Sequence, residues 1–346
     1  MKIIYRYIYR ELFFYLVLSI LAINTLVMVE KLIRVAKTLS GMAGPLEFAK
    51  VIILIQPQML LITIPVAFLI STLLVYGRLN MDNELIALMS AGVSFRKVSL
   101  PAVRIGVLLL IVNLLVSSII APHGNRRLRD EINHILKANI TRKIEERTFT
   151  ELGDIVIYTD SREEGLLKDV FVFDRKRNSV ITAKKASIMS EPSGIVMELR
   201  DGLINMVEKE RRTDIYFSSY RFQTGLDIQG ISRKAGEFMP QELLRKAKEV
   251  EDKKALQYIM EFYRRFTYPL LNIVMALIGP WLSLLSGRTG RLGGLVAGIG
   301  FFVLYYLMAM YFEGLVEAQK VSVAIGMTAP IITGLVAGFI IQRWHR

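Results

Sequence analysis

Few side chains in this 346-residue sequence are spaced for chemistry, and those that are suit binding and pairing better than catalysis. Lys31, Arg34 and Lys37 recur every three residues in "VEKLIRVAKTLSG", so a continuing helix carries them as one drifting basic stripe. Two readings fit it. The long side chains could snorkel at a membrane interface. They could instead face anionic headgroups, with phosphorylated lipid the obvious ligand, because Lys and Arg bind phosphate by charge and Arg adds a bidentate fork. In "EFYRRFTYP", Glu261 and Arg265 stand at i, i+4 in the favourable order for a helical ion pair, which reads as a structural pair. Glu313 and Glu317 repeat that spacing. They could complement the stripe, gate lipid entry, or simply be solvated.

Enzyme signatures are lacking. Without cysteine the chain builds neither disulfides nor thiolate metal sites. His123, His134 and His345 have no ligand spacing, so no metal site is expected. No G-x-x-x-x-G-K-[ST] is present, and the glycine-rich "SGRTGRLGG" lacks the lysine-serine ending, so it reads as a basic turn between spans. Glu145–Glu146 and Glu163–Glu164 are adjacent pairs whose side chains diverge on any regular element. The net charge of +13 does not imply nucleic acid. Residues 122–255 hold 26 Lys and Arg against 23 Asp and Glu, so they contribute +3, and the remaining +10 sits in and around the apolar runs.

Those runs set the architecture. With 53% hydrophobic residues and runs beyond the roughly 18 residues needed to span, the chain reads as an integral membrane protein. Spans are expected near Leu12–Val29, Phe48–Val75, Ser99–Ala121, Thr267–Leu285, Leu292–Phe312 and Val323–Ile341. Pro57 and Pro65 should bend the second and free backbone carbonyls. Lys2, Arg6 and Arg10 precede the first run without a small-residue cleavage site, so it reads as a retained span. Short loops on one side carry ten Lys and Arg against four on the other, which places both termini in the cytoplasm.

Between the third and fourth spans the pattern becomes β. "FTELGDIVIYT", "DVFVFDR", "SVITAKKASIM", "GIVMELRDG", "LINMVEKE" and "TDIYFSSYRFQ" are short Val-, Ile- and aromatic-rich runs. They predict a sandwich, jelly roll or open barrel outside the inner membrane. The domains are thus expected at 1–121 (three spans), 122–255 (β-domain with flanking helices) and 256–346 (three spans).

One loop stands out. "NMDNELIALMSAGVSFRK" predicts a helix over 80–92, capped by Asn80 or Asp82 and closed by Gly92 in a left-handed conformation. Glu84 sits in its first turn, and Leu85, Leu88 and Met89 form an apolar stripe. Such a helix could engage a separate ATPase or merely pack on its own spans.

This order of parts resembles the LptF/LptG permease family. "RYIYRE", "NELIALMSAGVS", "EFYRRFTYPL" and "GRTGR" occupy that family's places, and "EKLIRVAK" looks more like LptF than LptG. The resemblance covers essentially the whole chain. It implies an α-helical bacterial inner-membrane protein with six transmembrane helices and a periplasmic all-β jelly-roll-like domain inserted between helices 3 and 4. It further implies an ABC-transporter permease that extracts lipopolysaccharide and passes it toward the outer membrane. An LptB-like ATPase dimer would bind the ATP, so this chain would need no cofactor. A paralogous LptG/LptF-like permease and LptC- and LptA-like periplasmic proteins would be the other partners, and nucleic acid would not. On that template Glu84, Leu85, Leu88 and Met89 belong to the coupling helix, and Lys31, Arg34 and Lys37 lie near lipid phosphates. The rivals are a permease of another lipid or lipoprotein exporter, and a secondary transporter.

Overall fold

In the computed structural model the described residues are 2–39, 43–143, 146–152, 155–163, 166–175, 178–191, 194–208, 211–223, 235–250, 252–284 and 286–344. The helices are α1 (Lys2–Leu39), α2 (Pro45–Met81), α3 (Glu84–Ser90), α4 (Phe95–Leu115), α5 (Ala121–Lys143), α6 (Pro240–Glu249), α7 (Asp252–Ser283), α8 (Ser286–Glu317) and α9 (Val323–Trp344). A π-turn, Val116–Ile120, joins α4 to α5, and a 3-10 turn, Ala235–Glu237, precedes α6. Six of these segments are long and apolar enough to cross a membrane. The chain divides into two compact units. Residues 1–33, 54–126 and 235–346 form the helical unit; residues 34–53 and 127–234 form the unit that holds the sheet.

In the helical unit α2 and α7 are the most buried spans, while α1 and α8 leave most of their apolar surface open. Phe68, Leu69, Leu73, Val274, Met275 and Ile278 centre one cluster, with Leu16, Leu109 and Ile331 packed around them. Close approach rests on small residues, as expected where no hydrophobic gradient separates helix from lipid. A Cβ at Gly279 would stand 2.1 Å from Thr72 Oγ1, so α2 and α7 pass too closely for any side chain there. Both prolines of α2 lie inside a continuous helix. Pro65 has no N–H for the carbonyl four residues back, and that Leu61 oxygen instead accepts from the buried Asn113 Nδ2 at 3.2 Å. The "GRTGR" stretch, expected as an open turn, lies within the first turns of α8.

The sheet consists of β1 (Thr150–Leu152), β2 (Ile155–Glu163), β3 (Leu166–Asp174), β4 (Ser179–Glu191), β5 (Gly194–Glu208) and β6 (Arg211–Gln223). It is one antiparallel meander in sequence order, with every strand bonded to its neighbour in the chain. Two expected boundaries move. "FTELGDIVIYT" contains both β1 and the start of β2, and "GIVMELRDG" and "LINMVEKE", expected as separate strands, form the single strand β5, with "RDG" inside it.

β5 runs on through this stretch, and the ladder of the sheet is interrupted there along one row, a crease across the strands. Pairing runs on either side of one row of residues and skips that row in four successive strand pairs: Asp160, Asp169, Lys184, Asp201 and Ser218. Asp169 and Asp201 adopt left-handed backbone, with φ of 49° and 54°. Buried positions step by two along Ile155, Ile157 and Thr159, along Val170, Val172 and Asp174, from Ile181 to Ala183 and from Met197 to Leu199, as pleating requires. Across the row the step becomes odd: three from Leu167 to Val170 and from Ala183 to Ala186, five from Leu199 to Ile204. Both halves of β3, β4 and β5 therefore turn apolar side chains to the same interior. Leu167, Ala186, Met197, Leu199 and Phe222 from one leaf meet Val170, Val172, Ile181 and Ile204 from the other in one core.

Candidate functional site

The short helix α3 has its own stop signals. Val93 N–H donates to Leu88 O and Gly92 N–H to Met89 O, each at 3.0 Å, with Gly92 at φ 81°, as the sequence predicts. Its start differs from expectation. Asn80 and Met81 still belong to α2, and the residue before α3 is Asn83, left-handed at φ 58° with no side-chain cap bond. The helix is accordingly shorter than the 80–92 expected, and it covers Glu84–Ser90. Leu85 is buried among Ile8, Leu12, Val75, Tyr76 and Leu79, with Leu88 packed against the same cluster. Met89 does not join them; it stands exposed together with Ile86. The apolar stripe thus splits, one part gripping the spans and the other facing outward.

Glu84 is engaged with the same spans. Its Oε1 accepts from the Tyr7 hydroxyl at 3.4 Å. The Tyr7 oxygen in turn accepts from Arg78 Nη2, and the guanidinium lies 5.6 Å from the Tyr7 ring centre. Arg78 Nη1 pairs with Glu11 Oε2 at 3.2 Å, both side chains being mostly buried. Tyr7 and Glu11 sit one helical turn apart in "RYIYRE", which sequence reasoning marked only as a resemblance. That i, i+4 spacing of a phenol and a carboxylate beside a span-end arginine was the available signal. A parallel arrangement holds Arg104, whose Nη1 donates to the Tyr9 hydroxyl at 3.3 Å and whose guanidinium lies 5.6 Å from the Tyr5 ring centre.

A second polar cluster surrounds the start of the fourth span. Arg265 pairs with Glu261 at 3.1 Å and is 1% exposed. Its Nη1 also donates to Ser117 O in the π-turn at 2.5 Å, and its Nη2 to Gly236 O at 2.8 Å. Gly236 O accepts from Asn125 Nδ2 as well, and Glu237 O from Arg126 Nε at 2.6 Å. The segment that leaves α4 and the segment that re-enters at Ala235 are thereby tied together. Arg264 pairs in a fork with Glu313, at 3.1 and 2.7 Å. That places Glu313 between α7 and α8, paired with Arg264, while Glu317 is exposed.

Lys31, Arg34 and Lys37 all lie on the unbroken α1, and Lys31 is half-buried. The side chains of Arg34 and Lys37 fall outside the described residues. Among the described residues no group of three or more His, Cys, Asp or Glu could hold a metal ion.

Six apolar helices with an antiparallel sheet between the third and fourth narrow the choice of family, and a whole-chain comparison decides it. The model described as "Lipopolysaccharide export system permease LptF/LptG" matches residues 6–344. The chain belongs to that family. It is also similar to the uncharacterized protein RP871 of Rickettsia prowazekii (strain Madrid E), at 23% identity over 282 residues, which is 78% of each chain. As an LptF/LptG-family member the chain is a multi-pass membrane component of a transport system. Of the residues singled out in the sequence, the fold places Glu84 in one polar network, with Leu85 in the apolar cluster of the same spans, and Glu261 and Arg265 in another. Lys31 is bonded to no member of either network. The partners Tyr7, Glu11, Arg78, Arg264 and Asn125 emerge only from the three-dimensional arrangement.

Proposed function

We propose that this chain is the permease subunit of an ABC transporter that extracts lipopolysaccharide from the inner membrane and passes it toward the outer membrane. A separate LptB-like ATPase dimer binds and hydrolyses the ATP, and a paralogous LptF/LptG-like permease completes the membrane unit. LptC- and LptA-like proteins receive the lipid. Both termini and α3 lie in the cytoplasm, and the sheet lies in the periplasm. The observation that carries this reading is the family match over essentially the whole chain. The build of α3 supports it: a separately terminated helix, rooted by Leu85 and Glu84, with Ile86 and Met89 exposed for a partner.

The remaining parts fit the same task. Drawing acyl chains from the bilayer costs about 0.8 kcal/mol per exposed CH₂, so extraction needs both a driving partner and a sheltered apolar path. The folded sheet, in a jelly-roll-like role, supplies an apolar interior for those chains. Lys31, Arg34 and Lys37 bind the lipid phosphates. Purification of the tagged chain from membranes tests the assembly. An ATPase and a second permease of this family are expected to co-purify in stoichiometric amounts. Recovery of a lone monomer overturns the reading.

A further inference from the structure

The amino-terminal motif has no task in the function proposed above, yet its side chains connect the two parts that function must couple. Resting on that reading, we propose that Tyr7, Glu11 and Arg78 are positioning residues that lock α1 to α3, so that α1 moves as a rod when the ATPase displaces α3.

Three observations support it. First, the polar anchor of α3 is the chain Glu84–Tyr7–Arg78–Glu11, two members of which are on α1. Its apolar anchor, Leu85, shares a cluster with Ile8 and Leu12 of the same helix. A short helix with no side-chain cap bond at its start has little internal stability, so these anchors set its position. Second, α1 is built to carry displacement. Among the six candidate spans it is the one with neither proline nor glycine between its first and last described residues. Sharp kinks arise at proline, glycine or π-turns, and α1 lacks all three. Third, α1 is lightly held elsewhere, since most of its apolar surface is open. From Tyr7 to Lys31 the rod extends roughly 36 Å at 1.5 Å per residue. Displacement at α3 is thus delivered to Lys31.

The Tyr7 hydroxyl is the link to test, because Tyr7→Phe keeps the ring and its packing while breaking the chain between Glu84 and Arg78. Tyr9→Phe is the matched control, one turn-half away on α1 and in contact with Arg104 but not with α3. Each variant would be purified as the full complex and reconstituted in phosphatidylethanolamine–phosphatidylglycerol vesicles containing lipopolysaccharide. The readouts are ATPase co-purified and lipopolysaccharide released per ATP hydrolysed. A hydrogen bond to charged groups corresponds to about a tenfold change in the linked equilibrium. Release per ATP is therefore expected to fall by about tenfold in Tyr7→Phe, with the ATPase bound normally and Tyr9→Phe unchanged. Glu11→Gln, which removes the charge that holds Arg78 and leaves the Tyr7 side chain intact, is expected to lower the same ratio. An unchanged ratio in Tyr7→Phe and Glu11→Gln overturns the proposal, as does an equal fall in Tyr9→Phe, or loss of the ATPase in Tyr7→Phe. If the wild-type complex itself lacks an ATPase or releases no lipopolysaccharide, the proposed function fails instead.

Discussion

Alanine at Gly202 should weaken the sheet, whereas alanine for glycine in an ordinary strand strengthens it, and the sign of the effect tests the crease directly. In a regular strand the substitution stabilises by about 0.4–1 kcal/mol, mainly by restricting the unfolded chain. At Gly202 the new Cβ would lie 2.2 Å from Thr182 O and 2.4 Å from Phe217 Cζ. The first neighbour is backbone in the adjacent strand, so relief requires β4 and β5 to part by about 1 Å at their bend. Overpacking of this kind costs about 1–3 kcal/mol. The adjacent Asp201→Gly should be nearly neutral. It relieves the left-handed backbone at φ 54°, and the greater freedom of the unfolded chain offsets that gain. Amide hydrogen exchange across β4 and β5 in the detergent-solubilised full chain measures both. Gly202→Ala should speed exchange by about 5- to 150-fold, the equivalent of 1–3 kcal/mol, and Asp201→Gly should change it little. Slower exchange in Gly202→Ala would refute the crease.

Other outcomes follow from the polar clusters. Arg265→Met should destabilise the helical unit by about 1–3 kcal/mol, because it removes the Arg265 donor to Ser117 O and one of the two donors to Gly236 O, while Glu261 keeps its 3.6 Å pairing with Arg264; thermal unfolding in detergent reads this. A double-mutant cycle of Arg264→Gln with Glu313→Gln should give a coupling of about 1–3 kcal/mol, and additive effects would show the fork to be energetically idle. Glu84→Lys should abolish ATPase association while leaving membrane insertion intact, read by co-purification.

Much of this molecule is written locally. Apolar runs of about 20 residues mark the spans whatever surrounds them, and Gly92 marks the end of α3 because a left-handed residue is needed there. What stayed hidden depends on distant residues. Tyr7 meets Glu84 across 77 positions, and Arg265 reaches Ser117 across 148, so neither partner can be read from its own neighbourhood. The crease is an intermediate case. "RDG" looks like a turn, and Asp201 is indeed left-handed, but β5 continues because β4 and β6 pair with it on both sides of the row. The odd step between apolar positions, such as Leu167 to Val170, carried the signal. It separates a bend, which changes the pleat's phase, from a turn, which reverses the strand.

The proposed lipid contact at the end of α1 can be tested directly. A photocrosslinking amino acid at Lys31, in the complex with its ATPase, should capture lipopolysaccharide, and the adduct should diminish when ATP is added. Capture of bulk phospholipid alone, or an adduct indifferent to ATP, would contradict a permease that draws lipopolysaccharide from the membrane by a partner's hydrolysis.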